Sequence, residues 1–202
     1  MATSATRLRR RVERREELLD AADRLVKTGT LEMSMDEVAS EAGITKPVLY
    51  RHFGDKDGLY EALAQRYVDE LARELEPVAD VADARGRLAR TIEAYLSYVE
   101  REPERYRFLL GTGERQQTAH VLAEFRRRDV ARCAFAAAEN LRRAGLDPEV
   151  GELWAHHVSG TVRAAGVWWL EDRSMPKEQV VEHVTGLLWD GVAALRKAVP
   201  ET

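Results

Sequence analysis

The segment from Thr45 to His52 places several different hydrogen-bonding groups within about two helical turns. If the segment is a helix, Leu49 and Phe53 lie on its buried side, because residues four apart share a face. The opposite side then carries an ammonium, a guanidinium, a phenol and an imidazole, which can contact phosphate oxygens and the acceptor edges of nucleic-acid bases. The predicted exposed residues are Thr45, Lys46, Pro47, Val48, Tyr50, Arg51 and His52.

Two short helices and a turn are predicted to position this surface. Ser34 and Glu37 have the spacing of a capping box, which starts a helix that ends near Gly43. Gly43 permits a left-handed turn, and Thr45 is the predicted N-cap of the next helix. An amphipathic helix over about residues 9–28 precedes both. Two helices joined by such a turn form a helix-turn-helix, whose second helix lies in the major groove of DNA.

The rest of the chain is also predicted to be helical. Apolar residues recur at helical spacing, and no stretch shows sustained alternation of period two. Further helices are predicted at about residues 56–76, 83–101, 103–110, 117–144, 148–171 and 176–199. The sequence therefore predicts an all-α protein of about nine helices. Its N-terminal three-helix, helix-turn-helix domain is predicted at residues 1–60 and a C-terminal helical domain at residues 61–202.

Basic residues are concentrated near the N-terminus, although the net charge of the chain is −4. Six arginines fall between residues 7 and 15. One interpretation is a solvated helix face on which these arginines pair with acidic neighbours at helical spacing. The acidic neighbours are Glu13, Glu16 and Glu17. The alternative is an N-terminal arm that enters a minor groove. The arm residues are Arg7, Arg9 and Arg10.

No arrangement of residues in the sequence predicts catalysis or metal binding. We find neither a Gly-rich phosphate loop nor a Cys/His cluster with the spacing of metal ligands. His156 and His157 are adjacent, so they point to different faces of a helix and cannot chelate a metal as an i,i+4 pair would. An enzymatic activity, a cofactor and a metal ion are therefore not expected.

The composition predicts a cytoplasmic protein without a membrane span. The single cysteine, Cys133, excludes an internal disulfide and fits a reducing compartment. Its Ala-rich surroundings indicate a small buried residue. The least charged stretch, residues 153–170, contains Arg163 and is too short and polar to span a bilayer comfortably. The Arg-rich N-terminal stretch has no apolar run, so a signal peptide is not predicted.

The region around the two short helices resembles the TetR family of bacterial repressors. The resemblance covers about residues 10–65 and is carried by Ala39, Ala42, Gly43, Ile44, Thr45, Leu49, Tyr50, Arg51, His52, Phe53 and Lys56. It implies that Tyr50, His52 and Lys56 contact phosphates, with Lys56 beside a helix N-terminus where an anion is favoured. The positions that the resemblance assigns to the groove are Lys46, Pro47, Val48 and Arg51.

Two residues of this region carry particular expectations. Val48, often Thr in relatives, can read only apolar edges such as a thymine methyl group. Asp36 departs from the pattern, because an acid near the start of the second helix repels phosphate. We interpret Asp36 as a residue of the helix-cap region, with weaker DNA contact there.

The same resemblance implies a homodimer and a small-molecule pocket in the C-terminal domain. Dimerisation is expected through a four-helix bundle formed by residues 148–199 of two chains. The expected interface residues are Val162, Trp168, Val184, Leu187, Leu188, Gly191 and Leu195. The pocket is expected in the middle helices, where each aromatic residue could equally belong to the core. The candidate ligand residues are Tyr95, Tyr98, Phe108, Leu122, Phe125, Phe135 and His157.

The leading hypothesis is a dimeric repressor that a small, largely apolar ligand releases from its operator. A dimer would bind a pseudo-palindromic duplex with half-sites about one helical turn apart or a multiple of it. An alternative is an activator, or a regulator without a ligand, of the same fold. A remote alternative from another class is a helical carrier or enzyme that does not bind DNA.

Overall fold

The computed structural model describes residues 2–76, 83–112, 119–143, 145 and 147–191. Within these ranges the chain forms nine α-helices, which confirms the predicted all-α class. The helices are α1 (Ala2–Lys27), α2 (Met35–Glu41), α3 (Lys46–Phe53), α4 (Lys56–Leu75), α5 (Ala84–Arg101), α6 (Pro103–Thr112), α7 (Ala119–Arg143), α8 (Gly151–Glu171) and α9 (Lys177–Asp190). A short 3₁₀ turn, Pro148–Val150, leads into α8.

The chain divides into two compact units. The first unit consists of Met1–Asp69 and Glu102–Ala123, and the second of Glu70–Arg101 and Glu124–Thr202. The boundary that we expected at residue 60 falls inside α4. The first unit also takes in α6 and the start of α7, which the predicted division had assigned to the C-terminal domain.

The core of the first unit holds α2 and α3 against α1. In this unit α1 packs against α2 and α6, and α2 packs against α3. Leu18 and Ala22 of α1, Val38 of α2 and Leu49 of α3 are completely buried. An eight-residue helix such as α3 is not stable alone in water, so burial of Leu49 against these neighbours is what keeps it folded.

Asp23 of α1 is a buried carboxylate that joins three helices of the first unit. Arg105 of α6 donates from two guanidinium nitrogens to the two Asp23 oxygens, each at 2.7 Å. Tyr67 of α4 donates its hydroxyl to Asp23 Oδ1 at 2.7 Å, and Lys27 Nζ lies 3.2 Å from Oδ2. Desolvation raises the pKa of Asp23, but hydrogen bonds from Arg105 and Tyr67 outweigh it and lower the pKa from 3.8 to about 2. The ionised carboxylate thus ties α1, α4 and α6 together.

The second unit is built on α5, which packs against α8 and α9. Ile92, Leu96 and Val99 form the buried stripe of α5. The start of α8 lies against the backbone of α7, because a Cβ on Gly151 would come within 3.2 Å of Ala134 O. A side chain at Gly151 would therefore push α8 away from α7.

Cys133 of α7 is only half-buried, and it is a free thiol. Desolvation is the main cause that raises the pKa of Cys133 to about 11. The thiol is therefore protonated at neutral pH and a poor nucleophile, although Cys133 is less buried than predicted.

Replacing Arg105 with Met is expected to destabilise the protein by about 3–5 kcal/mol near neutral pH. The substitution leaves the Asp23 carboxylate buried without its principal partner. The free energy of unfolding from urea titrations measures the effect. As a matched control, Asp20→Asn removes the Asp20–Arg66 ion pair, which spans 2.6 Å and has an Asp20 side chain 48% exposed. That change should cost no more than about 1 kcal/mol.

The difference in stability between wild type and the Arg105→Met variant should shrink in acid. The folded-state pKa of Asp23 is depressed, so its contribution is present above the unfolded pKa of about 4 and is lost as the pH falls towards 2. A shift from 3.8 to about 2 corresponds to roughly 2 kcal/mol. A difference that stays constant between pH 6 and pH 2 would contradict the assignment of the effect to Asp23.

Candidate nucleic-acid interface

The N-terminus of α2 is fixed by the predicted capping box, which the structure confirms. The Ser34 side chain accepts from the backbone N–H of Glu37 at 3.2 Å, and Glu37 Oε2 accepts from the backbone N–H of Ser34 at 2.7 Å. The hydrogen bond from the Ser34 backbone is the largest cause that lowers the pKa of Glu37. These reciprocal bonds fix the start of α2. The chain leaves the other end of the helix through the turn at Gly43, where φ is +62°.

Helix α3 begins after Thr45 and carries Pro47 in its first turn, as predicted. Thr45 is the N-cap residue of α3, as predicted, but its side chain makes no capping hydrogen bond. Leu49 is fully buried, whereas Phe53 is only half-buried, in contrast to its predicted burial. The Arg15 guanidinium of α1 lies 5.1 Å from the centre of the Phe53 ring, so a cation covers the ring instead of more core.

The remaining side chains of α3 reach solvent. Tyr50 is 41% exposed, and Thr45, Pro47 and Arg51 are also exposed. Lys46, Val48 and His52 are half-buried at the edges of this surface. The residues that were predicted to be exposed thus form one surface, made of Thr45 and the outward side of α3. We call it the α3 surface. Its residues are Thr45, Lys46, Pro47, Val48, Tyr50, Arg51 and His52.

The start of α4 is held close to the end of α3. Asp55 accepts from the backbone N–H of Gly58 at 2.7 Å and so caps α4. A Cβ on Gly58 would lie 2.1 Å from Phe53 O, so this close approach requires glycine. Lys56 Nζ lies 5.3 Å from the centre of the Tyr60 ring. The half-buried Lys56 is therefore held at the N-terminus of α4, where a phosphate would be favoured.

Tyr60 also anchors the loop between α1 and α2. Its ring is almost completely buried, and its hydroxyl accepts from the backbone N–H of Met33 at 2.8 Å. The same hydroxyl lies 3.1 Å from Leu31 O. Because Lys56 lies over this fixed ring, the position of its charge is tied to the core of the first unit.

Three arginines of α1 add positive charge beside α3. The pKa of His52 is lowered, first by desolvation and then by the charges of Arg51, Arg11, Arg14 and Arg15. His52 keeps an N–H donor for a phosphate in either protonation state of its ring. Sequence reasoning missed this role of the α1 arginines, since Arg11, Arg14 and Arg15 were seen only as part of a charge run.

The predicted arm residues lie on α1, which extends back to Ala2. Arg7, Arg9 and Arg10 are exposed, and Arg9 Nε pairs with Glu13 Oε1 at 2.8 Å. Arg14 pairs with Glu17 at 2.5 Å, so pairing along the helix face accounts for part of the cluster. Insertion of Arg7, Arg9 and Arg10 into a minor groove stays a prediction.

An ion pair links α2 to the start of α3. Lys46 Nζ donates to Asp36 Oδ2 at 2.8 Å, and this hydrogen bond is the largest cause that raises the pKa of Lys46. The side chains of Lys46 and Asp36 are 42% and 69% exposed. The carboxylate at Asp36 is thus part of the same surface as the predicted groove residue Lys46.

The candidate effector residues fall into both units. Phe108 and Leu122 belong to the first unit, and the Phe108 ring packs against Tyr60 and Tyr67 at centroid distances of 5.2 and 5.6 Å. The others belong to the second unit, where Tyr95 and Tyr98 are buried and Phe125 is half-buried. Phe135 and His157 are exposed, with Phe135 at 71%.

The candidate interface residues on α8 and α9 include several exposed apolar side chains. Trp168 and Leu187 are 41% and 46% exposed, Val184 and Leu188 are half-buried, and Val162 is already buried within the protomer. Gly191 follows the end of α9 with φ +62°. It therefore lies outside the helical face on which it was expected. Leu195 lies outside the described residues.

The described parts of the chain contain neither a cluster of metal-binding side chains nor a membrane-spanning helix. Among these residues no group of three or more His, Cys, Asp or Glu side chains is arranged to hold a metal ion. None of the helices in the same ranges combines the length and apolar character needed to cross a membrane.

Two family models match the chain. Residues 18–63 match the bacterial regulatory proteins of the tetR family, and residues 74–200 match the tetracyclin repressor-like C-terminal domain. The first match contains α2, α3 and the start of α4, and the second contains α5 to α9.

Curated relatives and a solved structure extend this similarity over most of the chain. The HTH-type transcriptional regulator Rv0472c of Mycobacterium tuberculosis is 31% identical over 190 residues, covering 93% of this chain and 81% of the relative. The HTH-type transcriptional activator FasR of Mycolicibacterium smegmatis is 33% identical over 187 residues, covering 91% and 84%. The regulator FadR from Bacillus subtilis, solved in complex with stearoyl-CoA, has the same fold, with a TM-score of 0.69 at 17% identity, and covers 87% of this chain and 98% of its own.

Proposed function

The chain belongs to the TetR family and is a DNA-binding transcriptional regulator, and from this premise we propose that it binds its duplex with α3 in the major groove. The observation that carries the proposal is the burial pattern of α3: Leu49 is its one fully buried side chain, while the hydrogen-bonding side chains of the α3 surface reach solvent. Phosphates on either side of the groove would be contacted by Tyr50, His52 and Lys56. The groove itself would be read by Lys46, Pro47, Val48 and Arg51.

Charge around the α3 surface supports this placement of the duplex. Arg11, Arg14 and Arg15 of α1 act electrostatically on His52, so positive potential extends from α3 onto α1. Lys56 adds a cation at the N-terminus of α4, where the unpaired N–H groups also favour an anion. A duplex laid on this surface would meet cations from three helices, although the whole chain is acidic.

Replacing Lys56 with Met is expected to weaken binding to duplexes of any sequence. The variant removes the charge but keeps an apolar stem over Tyr60. In fluorescence anisotropy with a mixed-sequence duplex, the slope of log K against log salt should fall by about one per protomer. Lys177→Met is the matched control, because Lys177 lies in α9 and pairs with Glu100 at 2.6 Å. An unchanged salt slope for Lys56→Met would contradict the proposed contact between Lys56 and a DNA phosphate.

We also propose that the chain is a homodimer that uses α8 and α9. The support is the set of large apolar side chains left exposed on these helices of one protomer. Trp168, Leu187 and Trp189 are 41%, 46% and 48% exposed. Apolar residues of this size in contiguous patches mark protein interfaces, and a two-fold axis would bring each patch against its copy.

Replacing Leu187 with Asp is expected to convert the dimer into monomers. Because the contact is repeated across the axis, two unpaired carboxylates would be buried, at a cost of several kcal/mol. Leu187 is 46% exposed in the protomer, so the fold itself should survive. Sedimentation velocity over a range of concentrations gives the readout. Phe135→Asp, at a residue of α7 that is 71% exposed, is the control and should stay dimeric. A Leu187→Asp variant that is still dimeric would place the interface elsewhere.

We further propose that a small, largely apolar effector binds the second unit and lowers affinity for DNA. Tyr95 and Tyr98 of α5 are buried, and α5 packs against α9. Thr185 of α9 is 2% exposed, and within the described part of the chain its hydroxyl has no hydrogen-bond partner. A buried hydroxyl without a partner costs free energy, which a polar group of a bound effector would recover.

Replacing Thr185 with Val should weaken effector binding while leaving the free protein as stable as wild type or more so. A thermal-shift screen covers apolar compounds and, separately, stearoyl-CoA, whose apolar acyl chain is joined to a charged coenzyme A group. A hit is then titrated against the protein–duplex complex. Coupling should change operator affinity about 5- to 150-fold, and the effector should bind the DNA complex more weakly by the same factor. Thr91→Val is the control, since Thr91 already donates to Arg87 O at 2.9 Å.

The outcome of this screen also separates the alternatives within the family. A hit that stabilises the free protein but leaves operator affinity unchanged would contradict coupling between effector and DNA. A screen without any hit would favour a regulator that needs no ligand. The relative FasR is named an activator. Repression and activation are therefore distinguished by measuring transcription from a promoter that carries a duplex to which this protein binds.

A further inference from the structure

Asp36 is an acidic residue on a surface that otherwise collects positive charge. It lies in the first turn of α2 and turns its carboxylate towards Lys46, the first residue of α3. The distance between Lys46 Nζ and Asp36 Oδ2 is 2.8 Å. The N-terminal residues of a recognition helix contact base edges in the major groove. The Lys46–Asp36 pair therefore lies at the end of α3 that would contact the bases.

Helix capping does not require this carboxylate, and its position in the first turn of α2 adds only about 0.3–1 kcal/mol at an exposed site. The cap of α2 is complete without it, because Ser34 and Glu37 satisfy each other's backbone N–H groups. The ion pair is also too exposed to add much stability, since the Asp36 side chain is 69% exposed and pairs of this kind contribute about 0–1 kcal/mol. A carboxylate near phosphates would in addition weaken binding to every duplex. Its chemistry towards bases offers a different explanation.

The two side chains present a donor and an acceptor side by side. The Lys46 ammonium has three N–H donors and gives one to Asp36, so the others can reach an acceptor in the groove. The second carboxylate oxygen of Asp36 can accept from an amino group. A G·C pair offers the complementary row, with acceptors at guanine O6 and N7 beside the donor at cytosine N4. At the positions of guanine O6 and cytosine N4, an A·T pair presents adenine N6–H₂, a donor that cannot accept from lysine, and thymine O4, an acceptor that repels a carboxylate.

We propose that Lys46 and Asp36 together read one G·C base pair in each half-site. Lys46 donates to guanine O6 or N7, and Asp36 accepts from N4 of the paired cytosine, which makes Asp36 a specificity-determining residue. The inference rests on the proposed position of α3 in the major groove. The ion pair in the free protein holds the two side chains in the arrangement that the base pair requires, so less side-chain freedom is lost on binding.

The test begins with selection of bound duplexes from a random pool by the wild-type protein. Each position of the recovered half-site is then changed to the other three base pairs, and the dissociation constants are measured. At one position the wild type should prefer G·C by about 5- to 150-fold. Asp36→Ala and Lys46→Met should each remove most of this preference, and the double variant should lose little more. Preferences at all other positions should persist.

Two further variants separate base reading from a general effect of charge. Asp36→Asn should gain tolerance for A·T at the same position, because an amide N–H can donate to thymine O4. Glu41→Ala removes an equal charge from α2 at a residue that pairs with Arg24 at 2.6 Å. It should change affinity for all duplexes by one factor and leave the G·C preference intact.

Each remaining outcome overturns the inference. If Asp36→Ala behaves like Glu41→Ala and shifts all affinities equally, Asp36 acts only through its charge. If the preference is lost in Lys46→Met but kept in Asp36→Ala, lysine reads the base alone. In both cases the proposed position of α3 survives, because the wild type still selects a sequence. A wild-type protein that selects no sequence contradicts that position as well.

Discussion

A carboxylate buried at Asp23 is the constraint on which the first unit depends. An ionised group in that environment is tolerated only with several hydrogen-bond donors, and these come from Arg105 and Tyr67. The donors belong to α6 and α4, so α6 must pack against α1 although the two helices are distant in sequence. The Arg105 guanidinium also lies 5.1 Å from the Tyr67 ring centre, which joins the polar contact to the aromatic core around Phe108.

The α3 surface is available for DNA because so little of α3 is used for folding. Leu49 is its one fully buried side chain among the described residues, and Phe53 is partly covered by a cation. Stability comes from outside the helix, through the capped start of α2 and the tight junction at Gly58. The protein thereby keeps a short, rigid helix whose polar side chains do not have to serve the core.

The acidic side chains near this surface differ in their hydrogen-bonding and ion-pair partners, and the partners indicate their roles. Glu37 is bound to the N-terminus of its own helix, and Glu41 is paired with Arg24. Asp36 is turned towards α3 instead, which is why its pairing with Lys46 bears on sequence recognition. A count of charges does not distinguish these three acidic residues. It also does not show that a protein with a net charge of −4 carries positive charge around the α3 surface.

Sequence by itself determined the features that depend on spacing within a few residues. The capping box at Ser34, the turn at Gly43 and the burial of Leu49 follow from local hydrogen bonding and helical periodicity, and together they made the family recognisable. Tertiary structure decided which distant charges meet. Arg105 lies 82 positions from Asp23, and a single long-range ion pair leaves no periodic pattern in a chain rich in both charges. Only packing of the helices brings such side chains within hydrogen-bonding distance.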